Sequence, residues 1–82
     1  MNADQEKMRH HLIERAIKYC DMKLSTYKKK FEIVNQPFKE QLQILGKFEY
    51  YTERKQLFIK ETDMRVKMYA VREMMKDEKM WV

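Results

Sequence analysis

His10, His11 and Glu14 form the one grouping in the sequence that resembles a metal site. His10 and Glu14 stand four residues apart and His11 and Glu14 three, so on a helix each pair shares a face. A zinc site needs three or four converging ligands, and the sequence offers no obvious fourth group here. The reading is two histidines near a helix start, with no metal and no cofactor. Nucleophilic chemistry is served no better. Ser25 is the sole serine and Cys20 the sole cysteine, and neither lies in a Gly-rich turn. The carboxylates are interleaved with lysines, so no pair is set apart as general acid and base. With a single glycine the chain cannot build a phosphate-cradling loop. The expectation is a non-enzymatic protein with no small-molecule substrate.

Charge offers a second kind of chemistry. Between Met22 and Phe31 there are four lysines (Lys23, Lys28, Lys29 and Lys30) and no acid. Arg15, Lys18, Lys28, Lys29 and Lys30 are therefore candidate contacts for an anion or a nucleic acid, with Tyr19 near enough to stack. The formal net charge of +5 suits that role. Against it, 13 of the 18 bases are lysine, whereas base reading favours Arg, Asn and Gln. Asp21 and Glu32 also flank the run, so a solvated face that maintains solubility explains the same residues.

These side chains must be carried by long helices. The chain has 82 residues, 44% apolar and 38% charged, with one Gly and one Pro, a mix that suits amphipathic helices rather than sheets. Its size allows one domain near the lower limit for a single core. No disulfide can help, because Cys20 is unpaired within the chain and sits in an apolar row as a small hydrophobe. A lone cysteine, an N-terminus without secretory character and the lack of any long apolar run together predict an intracellular protein without a membrane span. That means cytoplasmic, or nuclear in a eukaryote.

The principal element is a helix over about 5–34, capped by Asn2 or Asp4. Ile13, Ile17, Cys20, Leu24, Tyr27, Phe31 and Val34 repeat at spacings of 4, 3, 4, 3, 4 and 3, which draws one apolar seam along it. Ile17, Leu24 and Phe31 fall at a positions, and Ile13, Cys20, Tyr27 and Val34 at d. Two aromatics in the seam favour a globular bundle over a parallel dimeric coiled coil. Leu12, Tyr19 and Ile33 form a second stripe beside it, so this helix is expected to touch more than one neighbour.

Asn35-Gln36-Pro37 turns the chain, because proline is tolerated only in the first turn of a helix. Beyond it helical character runs to about 79, either unbroken or split near 61–63, where Thr62 or Asp63 could cap a third helix. The apolar face drifts along this half. Phe38, Leu42, Leu45 and Phe48 lie together, while Leu57, Met64, Met68, Val71 and Met75 lie on nearly the opposite side. An unbroken helix would leave the latter row as an overhang that needs a partner, and flexible methionines suit adaptable recognition. Met80, Trp81 and Val82 are expected to fold back on the bundle.

The expected fold is all-α: a helical hairpin or three-helix bundle, completed by oligomerisation, with a homodimer that combines its seams. The expected function is a protein–protein interaction module, an adaptor or regulator, that docks through an apolar helix face. A small basic nucleic-acid-binding regulator and a compact viral or phage inhibitor of a host protein are the alternatives.

Overall fold

A computed structural model describes residues 3–33 and 35–78. Among these residues there are three helices and no strand: α1 (Ala3–Phe31), α2 (Phe38–Lys60) and α3 (Met64–Asp77). The chain is an all-α helical bundle. Asn2, Val34 and the Met80-Trp81-Val82 tail lie outside the described residues.

Neither glycine nor proline interrupts α1, and its charges oppose the helix dipole at both ends. Asp4 and Glu6 occupy the first turn and Lys28, Lys29 and Lys30 the last. Its backbone hydrogen bonding continues two residues past Phe31: Glu32 N–H donates to Lys28 O at 3.2 Å and Ile33 N–H to Lys30 O at 3.3 Å. The Gln36 side-chain amide also donates to Lys30 O, at 2.6 Å, which satisfies a terminal carbonyl. Asn35 then takes φ 72°, the left-handed conformation that asparagine tolerates better than most residues. Pro37 stands just outside α2 with φ −56°, close to the angle its ring imposes.

The second half divides at 61–63 without help from Gly or Pro. Side chains make the break. The Glu61 carboxylate accepts from Thr62 N–H and Asp63 N–H, each at 3.0 Å, and Asp63 caps α3 by accepting from Arg65 N–H at 2.9 Å. Of the two courses open to this half, the split is the one adopted, and the cap is Asp63. The consequence is large. The residues beyond 63 return over the hairpin of α1 and α2 instead of running past it.

α1 and α2 pack along each other, and α3 leans more on α1 than on α2. The buried core is Ile13, Ala16 and Cys20 from α1, Tyr51 and Phe58 from α2, and Ala70, Val71 and Met74 from α3. Each large apolar side chain so enclosed contributes about 1.5–3 kcal/mol. No charged or polar residue is fully buried among those described. One cross-helix ion pair, Lys55 Nζ to Asp21 Oδ1 at 2.6 Å, ties α2 to α1. Its partly exposed groups hold it to under about 1 kcal/mol.

Candidate interaction surface

Tyr51 is the centre on which the three helices converge. Its ring stacks on Tyr27 with centroids 5.9 Å apart, and meets Tyr19 at 6.3 Å and Tyr50 at 5.1 Å edge to face. Such pairs add about 0.5–1.5 kcal/mol each to area burial. Its hydroxyl donates to the Glu78 carboxylate. Burial, then that hydrogen bond, then the Glu78 charge push the Tyr51 phenol well above its ordinary value, so it stays protonated. Cys20 is fully enclosed nearby. Burial first, and then the Asp21 and Glu78 charges, raise its thiol to about 11. A thiol held neutral in this way is a poor nucleophile.

Beside this cluster a cleft of about 1100 Å³ opens between the end of α1 and the start of α2. Tyr27, Tyr50 and Tyr51 line it together with Lys30, Lys47, Glu40 and Glu78. Its charges are of both signs, so it favours no one class of ion. Two buried oxygens, Gln36 Oε1 and Glu78 Oε2, find no donor among the described residues. The opposite side of the same hairpin end holds a smaller cavity of about 350 Å³, walled by Phe31, Ile44, Leu45 and Phe48 with Lys28 at its edge.

That second side carries a run of exposed apolar residues. Phe31 is 43% exposed, Phe38 73% and Leu42 52%, and Leu45 and Phe48 are exposed beside them, while the exposed Ile33 lines the cleft. The cause is the length of α3. Its 14 residues reach about 21 Å, against about 44 Å for the 29 residues of α1, so the third helix covers only one end of the hairpin.

The seam of α1 is covered unevenly. Ile13 and Cys20 are buried, Tyr27 is half-buried against Tyr51, Ile17 and Leu24 are half-buried, and Phe31 is exposed. What covers it is the chain's own α2 and α3. Among the residues set aside for a partner, Val71 is fully buried, Leu57, Met64 and Met68 pack against the core, and only Met75 is exposed. The overhang expected from an unbroken helix is absent, because the break at 61–63 folds it inward. The face of α3 that enters the core is also rotated from the expected one, centring on Ala70, Val71 and Met74.

The basic residues do not gather into one patch. Arg15, Lys18, Lys28, Lys29 and Lys30 are all exposed. Lys28 and Lys30, however, lie about 200° apart round the helix. Lys28 borders the apolar cavity, while Lys30 Nζ sits 5.4 Å from the Tyr27 ring centre on the cleft side. Among the described residues no three His, Cys, Asp or Glu side chains are placed to hold a metal, and no helix is long and apolar enough to cross a membrane.

Ala16, Ala70 and Met74 were not legible as core positions. Alanine is common on both faces of helices, and Met74 and Met75 are chemically identical neighbours whose roles differ by 100° of rotation. No family model, curated protein or solved structure matches the chain.

Proposed function

We propose that the protein is a non-enzymatic helical interaction module, an adaptor or regulator, that docks another protein through the open end of the α1–α2 hairpin. One observation carries this reading: Phe31, Phe38, Leu42, Leu45 and Phe48 cluster in the open at the same end of the molecule. Apolar patches of this kind on a small domain are associated with binding. The buried and unreactive Cys20, unbridged within the chain, supports a reducing site of action, the cytoplasm or, in a eukaryote, the nucleus.

The test is a pull-down from the native host with the wild-type chain and a Leu42→Lys/Leu45→Lys variant, both treated with nuclease. A protein held by the wild type and lost from the variant is the expected result. Identical captures by both would overturn the reading.

The exposed row of Lys18 and Lys29 supports a second reading, a nucleic-acid contact along α1. Neutralising several phosphates makes affinity fall steeply with salt. Fluorescence anisotropy with duplex and single-stranded DNA at low salt tests it. Binding that Lys28→Glu/Lys29→Glu leaves unchanged, or no binding at all, removes it.

A further inference from the structure

We infer that residues 61–63 are a hinge through which α3 leaves its own core and enters that of a second copy, giving a domain-swapped dimer. The inference goes beyond the docking reading and makes no use of the open apolar face.

What fills the exchanged site is known, because α3 already sits in it. Ala70, Val71 and Met74 share one buried cluster with Ile13, Ala16 and Cys20 of α1 and Tyr51 and Phe58 of α2. Just past the helix end, Glu78 accepts from the Tyr51 hydroxyl. A second copy offers the same seat, so the swapped dimer makes each of these contacts again between chains. The seat is built on a hairpin with contacts of its own, since α1 packs mainly on α2 and the Lys55–Asp21 ion pair joins them.

With the α3 contacts equal in both forms, the balance falls on the junction. No Gly or Pro stands between Leu57 and Asp77. The bend is held by three bonds from exposed carboxylates: Glu61 accepts from Thr62 N–H and Asp63 N–H, and Asp63 from Arg65 N–H. In a straight chain the N–H groups of residues 62–66 reach the carbonyls of residues 58–62, five backbone bonds that the bend does not make. Residues 38–77 then form one helix of about 60 Å. Thr62 and Asp63 oppose this, because both favour a cap over a helix interior. The closed monomer is further favoured at low concentration, since a chain closing on itself avoids the entropy of association. A three-residue connector poised in this way is the kind through which elements exchange.

Size-exclusion chromatography of the full chain, refolded from denaturant over a range of concentrations, tests the proposal. The wild type is expected to give monomer and a dimer fraction that grows with refolding concentration. Thr62→Ala/Asp63→Ala should raise the association constant at least about tenfold, because it removes the cap, supplies two strong helix formers and acts at two junctions per dimer. Thr62→Pro should abolish the dimer and keep the monomer. Glu61, at φ −68° and ψ 133°, already has the extended backbone that a following proline favours, whereas a proline inside the straight helix breaks it. Leu45→Lys, on the open face, should leave the dimer unchanged. Spin labels on Cys20→Ala/Leu45→Cys/Tyr69→Cys, combined with Thr62→Ala/Asp63→Ala and diluted with unlabelled chains, report the shape by electron–electron resonance. The two sites stand about 36 Å apart along a straight helix, and much closer when α3 folds back.

A wild type that stays monomeric at every refolding concentration overturns the inference, as does an association constant that Thr62→Ala/Asp63→Ala fails to raise. A dimer that persists in Thr62→Pro, or that Leu45→Lys abolishes, does not depend on a straight junction and overturns it too. So does a dimer whose labels keep the spacing found in the monomer. None of these results touches the docking module, which is read separately from the protein captured by the wild type and lost from Leu42→Lys/Leu45→Lys.

Discussion

The two ends of the α1–α2 hairpin are built from the same residue types and have opposite fates. At one end Tyr51, Phe58, Val71 and Met74 are enclosed by all three helices. At the other, Phe31, Phe38, Leu42 and Phe48 stand in water. Composition does not separate them, since each end has aromatic and aliphatic residues at helical spacing. Coverage does. α3 is too short to lie over the whole hairpin, so one end becomes the folding core and the other is left open. The buried core and the exposed apolar face thereby occupy separate halves of one small domain.

Phe58→Ala against Phe48→Ala is the sharpest way to break this contrast. The total stability of a domain this size is roughly 4–12 kcal/mol. Phe58→Ala is expected to cost about 3–5 kcal/mol, enough to unfold much of the population, because it empties an enclosed site. Phe48→Ala should cost about 1 kcal/mol, as a substitution at a partly exposed position. Urea denaturation of dilute samples measures both, and equal losses would end the distinction.

Alkaline pH probes the closed end alone. The Cys20 thiol is raised from an ordinary value of 9.0 to about 11, and the phenols of Tyr51 and Tyr19 are raised as well. Folded groups that hold their protons more tightly stabilise the fold below the unfolded value, and lose that contribution as pH climbs through the folded one. Denaturation midpoints should therefore be steady up to about pH 9 and fall toward pH 11. Cys20→Ala should make that fall shallower. Cys20 in the folded chain should also resist thiol reagents until denaturant is added.

Smaller effects locate the boundary between the halves. Asp63→Ala removes the α3 cap and should cost about 1 kcal/mol, loosening the cover and lowering the thermal midpoint. Gly46→Ala should have the opposite sign, because a β-carbon there meets nothing within 4 Å and φ is not positive. A gain of up to about 1 kcal/mol is expected from helix propensity. Leu45→Lys should move the stability of the folded chain by less than about 0.5 kcal/mol. A large loss of stability would place Leu45 in the core and erase the open end.

Much of this was legible in advance where the local signal was strong. The helix over Ala3–Phe31 follows from an uninterrupted apolar repeat, and the turn before α2 from Pro37. The break at 61–63 was only half visible. It relies on the Glu61 and Asp63 carboxylates bonding to nearby backbone N–H groups, and the same residues are compatible with a continuing helix. Missing it would turn the Leu57–Met75 row into an exposed partner face, whereas Val71 is in the core. Phe38, Leu42, Leu45 and Phe48 were recognisable as one stripe, but the stripe carries no mark saying whether anything lies over it.

Sequence alone determined that this chain is helical, where its first turn falls, and which side chains share a face. Those properties depend on hydrogen bonds and steric preferences within a few residues of one another. Only the tertiary structure decided which greasy face is shut and which is open. That outcome depends on how far a 14-residue helix reaches once the chain has doubled back, a matter of length and packing across positions more than 40 residues apart, such as Cys20 and Val71.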